Sequence, residues 1–316
     1  MLLPSIREWI ITPEQVSQRL DNFLLTRLKG LPKSCLYRLL RQGKIRVNQK
    51  RSKPAYRLQA NDVLKTPLLR LDTAPVVLRK PSDSLRILLK KSILFEDDKL
   101  IILNKPQHMA VHGGSGISLG IIEALRQLRP TQAYLELAHR LDRETSGCLL
   151  IAKKPAVLRQ LHMLFRTQCI EKTYLTLVSG YWSAALKSIN VSLKKNQLRS
   201  GERIVKVDAE GKSAFTQFKL LKRFTNASLL EVKLRTGRTH QIRVHAQYAG
   251  HPVAGDEKYG DKAFNQVLRA NGLQRLFLHA AQVRFTLPLA AQSICVQATL
   301  PPDLRATLKQ LVEHSI

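Results

Sequence analysis

The sequence predicts an α+β protein in two parts: a small basic module, then a larger domain with a mixed, largely antiparallel sheet flanked by helices. Three observations predict it. Apolar runs at 100–103, 149–152 and 174–178 have the length of buried strands, and Leu230, Val232 and Leu234 alternate with Glu231, Lys233 and Arg235 as in a half-buried one. Helical stripes fall at Val157, Leu158, Leu161, Leu164 and Phe165 and again over 303–314, without the regular strand–helix alternation of a parallel sheet. Positive charge crowds the amino-terminal part: between Glu14 and Lys80 there are sixteen Lys/Arg against four Asp/Glu, so this stretch carries +12 of a net +29.

Within the basic module, Leu20, Phe23, Leu24 and Leu28 fall at helical spacing, and Lys29-Gly-Leu-Pro32 ends that helix. A second helix is predicted over 33–42, with Pro32 as its start signal and Gly43 as its stop. Cys35, Leu36, Leu39 and Leu40 form its apolar side, while Lys33, Tyr37 and Arg41 share another face with Arg38 beside them. Lys44-Ile-Arg-Val-Asn48 alternates as a short strand exposing Lys44 and Arg46, and a basic loop over 49–53 adds Lys50, Arg51 and Lys53. Helix face and loop together form a candidate phosphate-binding surface, interleaved with Tyr37 and Tyr56; a merely solvated basic face is the alternative. Residues 66–90, with Pro67, Pro75 and Pro81 and no sustained pattern, read as a linker. The expected organisation is an extension over 1–16, the basic module and the start of the linker over 17–80, the rest of the linker over 81–90, and the larger domain over 91–316.

Composition excludes several classes. The balance of 44% hydrophobic and 24% charged residues is that of a globular protein, not a disordered or fibrous one. No apolar run approaches the roughly 18 to 20 residues that span a bilayer, and the amino terminus lacks a signal pattern, so a cytoplasmic protein is expected. Cys35, Cys148, Cys169 and Cys295 are scattered, and His240 and His245 stand five apart with no third ligand nearby, so no metal is expected. Val111-His-Gly-Gly-Ser-Gly116 lacks both the Gly-Lys-Ser/Thr ending of a P-loop and the spacing of a dinucleotide fingerprint, which excludes a nucleotide cofactor. The charge points to a polyanion, and nucleic acid is favoured over a membrane surface because no amphipathic basic helix or lipidation signal is present. A monomer is the default expectation.

Three segments carry candidate chemistry. In Leu137-Ala-His-Arg-Leu-Asp-Arg-Glu-Thr-Ser-Gly147, Asp142 lies in a loop between buried elements, flanked by Arg140 and Arg143. From the residues alone it reads either as a structural ion pair or as a catalytic carboxylate. In Leu234-Arg-Thr-Gly-Arg-Thr-His-Gln-Ile-Arg-Val-His245, Thr239 is a candidate helix cap, and Arg238 and Arg243 make a basic helix start suited to phosphate or carboxylate. In Ile170-Glu-Lys-Thr-Tyr-Leu-Thr-Leu-Val178, Tyr174 by itself is a core residue.

Two resemblances tie these segments together. The two short helices, Gly43-Lys-Ile-Arg-Val-Asn48 and Leu58-Gln-Ala-Asn-Asp-Val63 resemble an S4 RNA-binding domain over 17–65. Asn104-Lys-Pro106, Val111-His-Gly-Gly114, His139 to Gly147, Glu171-Lys-Thr-Tyr174, Thr236 to His245 and Gly255-Asp-Glu-Lys-Tyr-Gly260 resemble the RluA-type family of pseudouridine synthases. Lys29-Gly-Leu-Pro-Lys-Ser34, Val111 to Gly116 and Ser200-Gly-Glu-Arg-Ile-Val205 point further to its S4-bearing large-subunit ribosomal members.

The resemblance implies a cofactor-free isomerase acting on large-subunit ribosomal RNA or its precursor, with Asp142 as the essential aspartate and Tyr174 in the position that stacks on the flipped uracil. Arg243 is its first-choice partner for Asp142 and Arg238 the second, with a phosphate contact as the alternative role of Arg238. His139 and Arg140 flank the catalytic position, Arg140 as a backbone contact or a wedge beside the flipped nucleotide. Asp142 acts either as a nucleophile at C1′ or as a base on the ribose. A transfer-RNA substrate, a glycosylase releasing free uracil, and a non-enzymatic rRNA-binding protein are the rival readings. One departure is visible: after Asn-Lys-Pro the family continues Ser-Gly, whereas this chain has Gln107-His108, without glycine's conformational freedom.

Overall fold

Two units fold from the chain, Met1–Leu78 and Arg79–Ile316. The computed structural model describes residues 6–28, 30–68, 81–113, 119–197, 203–288 and 292–312. Lys29, residues 69–80 of the expected linker, 114–118 of the glycine-rich segment, 198–202 and 313–316 therefore lie outside the described residues.

The amino-terminal unit contains β1 (Ile6–Ile10), α1 (Leu20–Arg27), α2 (Lys33–Arg41), β2 (Arg46–Val47), β3 (Lys50–Arg51) and β4 (Val63–Pro67). The helical stripes bury as their spacing predicts: Leu20, Phe23 and Leu24 of α1, Leu28 just beyond it, and Leu36, Leu39 and Leu40 of α2 share one core. Lys33, Tyr37, Arg38 and Arg41 remain on the exposed face. The predicted strand over 44–48 narrows to β2, because Asn48 and Gln49 take positive φ (48° and 65°) and turn the chain back into β3. This is a two-residue hairpin turn of the left-handed kind that matches strand twist. Part of the expected basic loop is thus a strand, and Lys44, Arg46, Lys50, Arg51 and Lys53 are all exposed.

Tyr37 lies on that exposed face but is tied at its hydroxyl. Its ring is 42% exposed, but its hydroxyl donates to buried Asp21 (2.9 Å), which also takes a fork from Arg19. Tyr56 likewise donates to buried Asp62 (3.1 Å). The expected extension is not separate either: β1 pairs antiparallel along β4, from Ile6↔Pro67 to Ile10↔Val63. It escaped the periodicity because β1 is an edge strand with four of its five residues exposed, which leaves no alternation to read.

In the second unit the expected linker over 81–90 is instead mostly α3 (Asp83–Lys91). Ser82 caps it by accepting from the Leu85 N–H (3.2 Å), and Leu89 anchors it at full burial. The prolines that suggested a linker stop at Pro81, immediately before that cap. A long sheet follows: β5 (Ile93–Glu96), β6 (Leu100–Lys105), β7 (Glu136–Leu137), β8 (Ser146–Ala152), β9 (Glu171–Ser179), β10 (Ser188–Asn190), β13 (Phe215–Phe224), β14 (Ala227–Leu234), β15 (Leu278–Leu287) and β16 (Gln292–Gln297). The order is β10-β13-β14-β9-β15-β8-β6-β5, with β16 added to β15 and β7 to β8. The short strands β11 (Leu193–Gln197) and β12 (Arg203–Val207) form a separate ribbon. Helices α4 (Ile121–Leu128), α5 (Pro155–Arg166), α6 (Gln241–Tyr248), α7 (Lys262–Ala270) and α8 (Pro302–Gln310) complete the unit.

The continuous apolar runs are explained by strands covered on both faces. Ile101, Leu103, Leu149 and Ile151 enter the core that includes α4, while Leu100, Ile102, Cys148, Leu150 and Ala152 enter the core under α5. That division follows the two-residue period of a strand. Among the described residues no helix is long and apolar enough to cross a membrane.

Among the described pairings in this sheet, β8–β15 alone is parallel, with His279↔Ser146 and Ala280↔Gly147. It requires a very close backbone approach at Gly147, whose φ is 108° and whose hypothetical Cβ would lie 2.2 Å from the Ala280 carbonyl oxygen. Gly147→Ala is therefore expected to destabilise the protein by about 3 kcal/mol or more. Urea unfolding measures this, and a midpoint equal to that of the unsubstituted chain would refute the close-approach argument.

Candidate active site

The loop between β7 and β8 carries His139 to Thr145, and a turn closed by the Thr145 N–H on the Asp142 carbonyl (3.1 Å) projects Asp142 from it. The loop's backbone is held from outside. Lys105, fully buried at the end of β6, donates from Nζ to the carbonyls of Pro106 (2.8 Å), Met109 (2.8 Å) and Arg143 (3.0 Å). Burial, reinforced by Arg275, pulls its pKa down to about 7 against the pull of Glu144 and Asp142. Arg275 donates to Ser146 Oγ (2.7 Å) and to the Glu144 carbonyl (3.4 Å). Ser146 Oγ also meets Nδ1 of fully buried His279 (2.9 Å), whose Nε2 lies 3.0 Å from the Ala298 carbonyl. A carbonyl only accepts, so Nε2–H donates there and the Ser146 hydroxyl donates to Nδ1.

His108, where the resemblance implies a glycine, takes a left-handed backbone (φ 59°). This conformation costs a non-glycine residue about 1 kcal/mol. Its imidazole pairs with Glu144, tying the loop after β6 to the loop of Asp142.

The opposite wall comes from the start of α6. The expected Thr239 cap is not made; the N-cap is His240, in left-handed conformation (φ 54°), without a side-chain cap. Gln241 does the local work instead. Its Oε1 accepts from the Arg238 N–H (2.9 Å) and Thr236 Oγ1 (2.8 Å), and its Nε2 donates to the Phe215 carbonyl (3.1 Å) and Thr216 Oγ1 (2.9 Å). The residues just before the helix are thereby fixed to β13.

Arg243, on the first turn, is the pivot of the site. Its Nε and Nη2 grip buried Asp256 in a fork at 2.6 and 2.7 Å, and its Nη1 lies 3.6 Å from Asp142 Oδ2. Burial works against the charged guanidinium, yet Asp256, followed by Asp142, lifts its pKa above the ordinary arginine value. Burial would likewise raise Asp256, but Arg243 and the N–H groups of Tyr259 and Lys258 bring its pKa below the usual carboxylate range. The Tyr259 ring lies 5.0 Å from the guanidinium carbon. His240 Nε2 stands 3.9 Å from the same Asp142 oxygen.

Tyr174 projects from β9, opposite Val232 of β14, into the apolar core it shares with Leu141, Ile242 and Leu278. Burial, with the charge of Asp142 behind it, pushes its phenol pKa well up, so it remains protonated. Asp142, Tyr174, His240 and Arg243 line a pocket of about 110 Å³, with Arg140 and Arg238 at exposed positions on it. An adjacent groove is lined by Lys194, Lys195 and Lys212 and shares Arg238.

The expected site residues thus divide. Asp142, Tyr174, Arg243, Arg238 and Arg140 converge on one pocket, and Arg243 faces Asp142 as its first-choice partner. Arg238 does not; its Nε donates to the Ser213 carbonyl (3.0 Å). His139 is a correction. Its Nε2 accepts from the Leu150 N–H (3.1 Å), its ring packs on Phe165, and burial drops its pKa to about 3, so it braces β8 away from the pocket. Asp256, Tyr259, His240 and Lys105 were missed as site residues. Asp256 and Tyr259 belong to Gly255-Asp-Glu-Lys-Tyr-Gly260, and Lys105 to Asn104-Lys-Pro106, segments that marked the resemblance without suggesting a role. His245 is fully buried, held neutral near pKa 4 by burial, and among the described residues no group of three His, Cys, Asp or Glu could hold a metal ion.

The family model described as RNA pseudouridylate synthase matches residues 99–248, and the S4 domain model matches 18–64. A Haemophilus influenzae protein named ribosomal large subunit pseudouridine synthase C is 50% identical over 314 residues, covering 98% of this chain and 96% of its own length. Its Escherichia coli K12 namesake is 49% identical over 310 residues, covering 98% and 97%. Among solved structures, human RNA pseudouridylate synthase domain containing 4 superposes with a TM-score of 0.58 at 25% identity, covering 72% of this chain and 95% of its own. With relatives this similar over nearly its whole length, the chain belongs to the RNA pseudouridylate synthase family, as an isomerase with an S4 domain ahead of its pseudouridine synthase fold.

Proposed function

We propose that this enzyme converts specific uridines of large-subunit ribosomal RNA to pseudouridine, using Asp142 and no cofactor. The observation that carries this reading is the pocket in which Asp142, Tyr174 and Arg243 meet. The names of relatives 49–50% identical over nearly the full length support the choice of RNA. Action as a monomer, in the cytoplasm with its ribosomal substrate, is part of this proposal.

The isomerisation breaks the N1–C1′ bond of uridine, turns the uracil and joins C5 to C1′, with no redox change, phosphoryl transfer or net hydrolysis. The base must first leave its stack, at a cost of a few kcal/mol offset by contacts elsewhere. Arg140 and Arg238 at the pocket and the lysine-lined groove beside it suit the flanking phosphates. The exposed Lys33, Arg38, Arg41, Lys44, Arg46, Lys50, Arg51 and Lys53 of the S4 unit, with the ring of Tyr37, add sequence-independent affinity.

Inside the pocket the Tyr174 ring offers the flat face on which uracil stacks. Its raised pKa makes a phenolate base unfavourable at neutral pH, so stacking is its main task. Arg243 orients Asp142 as a carboxylate, the form required both for attack on C1′ and for removal of a ribose proton.

Asp142→Asn is expected to lower turnover by at least about 10³-fold with little change in RNA affinity; appreciable residual pseudouridine in the product RNA would sink the assignment. Tyr174→Leu should lose about 10- to 100-fold, the equivalent of roughly 1–3 kcal/mol of base stacking, and Tyr174→Phe much less. Equal losses in single-turnover rate would assign the work to the hydroxyl. Replacing Lys33, Arg38, Arg41 and Arg46 together by Gln should flatten the dependence of log affinity on log salt by about 3, at 0.7–0.9 per lost phosphate contact. An unchanged slope in filter binding would remove the S4 face from the RNA interface. Mapping pseudouridines in large-subunit RNA from cells with and without the protein tests activity, substrate and position together.

A further inference from the structure

His240 is a pocket residue that the resemblance did not assign, and its surroundings fix which ring nitrogen carries hydrogen. The Val205 N–H donates to the Tyr259 hydroxyl (2.9 Å), and that hydroxyl lies 2.8 Å from His240 Nδ1. Tyr259 is buried, and its single hydroxyl hydrogen has one described acceptor within reach, Nδ1. Were Nδ1 protonated instead, the hydroxyl would accept twice and leave its own hydrogen buried and unpaired, which is unfavourable. Nδ1 is therefore the acceptor, and the hydrogen sits on Nε2, 3.9 Å from Asp142 Oδ2. Burial, together with Arg243 and Lys258, holds the imidazole below the ordinary histidine pKa against the pull of Asp142 and Asp256, so it is a neutral donor.

Both donors that face Asp142 address the same oxygen. The closest approach of Arg243 to Asp142 is Nη1 at 3.6 Å from Oδ2, and that of His240 is Nε2 at 3.9 Å from the same atom. Such separations are long for hydrogen bonds and tighten when a substrate fills a site. We infer that His240 is a positioning residue that, with Arg243, holds Oδ2 of Asp142 and so presents Oδ1 as the reactive oxygen. This rests on the assignment of Asp142 as the catalytic group. The left-handed backbone of His240 serves this end, because it carries the ring from the helix start toward Asp142 while Tyr259 grips its far nitrogen.

Two isosteres separate the ring's contacts. The Gln amide nitrogen in His240→Gln reaches the place of Nε2 and keeps a donor toward Asp142, whereas the Asn side chain in His240→Asn reaches only the place of Nδ1 and keeps the Tyr259 contact. Asn also tolerates the left-handed conformation better than most residues, so a purely structural role predicts that Asn is the milder change. The inference predicts the reverse. With in vitro transcribed large-subunit RNA, His240→Asn should lose about 10- to 100-fold in kcat at unchanged KM, the scale on which groups that orient a functional ligand act. His240→Gln should recover most of that loss, and thermal unfolding midpoints should be equal. Asn as active as the unsubstituted enzyme, or Gln falling as far as Asn, would overturn the inference. An unsubstituted enzyme that leaves this RNA unmodified would instead count against the proposed function.

Discussion

Arg243 serves two carboxylates at once, and the site depends on how its guanidinium is divided between them. Burying Asp256 costs several kcal/mol, which is offset only by good geometry and further hydrogen bonds. The fork from Nε and Nη2 and the N–H groups of Lys258 and Tyr259 supply both. With two of its three nitrogens committed, the guanidinium has no freedom to follow Asp142. It offers Nη1 from a fixed position 3.6 Å from Asp142, so a positive charge stands beside that carboxylate without rearrangement. A lysine, a point charge without a fork, cannot hold one carboxylate and face another in this way.

Asp142 itself is brought to that fixed charge by anchors on the backbone of its loop. Lys105 takes the Arg143 carbonyl, and Arg275 takes the Glu144 carbonyl and Ser146 Oγ. His279 locks Ser146 in turn, and Gly147 lets β8 press against β15. These anchors are buried and polar, so each is costly to leave unpaired. The loop is therefore held from below by the sheet and from one side by β6, and its side chains are left for the pocket. His139 shows the same economy: it follows Ala138 onto the sheet and accepts from Leu150, while Asp142, three residues on, turns into the pocket.

Elements with an inside and an outside were legible in the sequence. The stripes of α1, α2 and α5 and the apolar runs of β6, β8 and β9 follow directly from burial on one face or both. The edge strand β1 was not legible because it is largely exposed, and α3 was masked by the prolines before it. Asp142, Tyr174 and Arg243 were found through resemblance and not through spacing, since a loop carboxylate, a strand tyrosine and a helix arginine carry no shared period. Asp256 and Tyr259 escaped for the same reason. Their task is set by Arg243, thirteen and sixteen residues earlier in the chain, across a fold the local sequence does not encode.

His108 shows how the loop tolerates a residue that local conformational preference disfavours. A left-handed backbone costs a histidine about 1 kcal/mol more than it costs glycine. Yet glycine has no side chain to give, and His108 uses its imidazole to pair with Glu144. Glu144 also accepts from Arg143 (2.8 Å), and although burial raises its pKa, its contacts with Arg143 and His108 bring it below the ordinary value. The loop after β6 is thus joined to the Asp142 loop twice, through the Lys105 amine on a carbonyl and through the His108 ring on a carboxylate. The second link needs a side chain that glycine lacks, and its attraction opposes the backbone strain that histidine introduces at the same position.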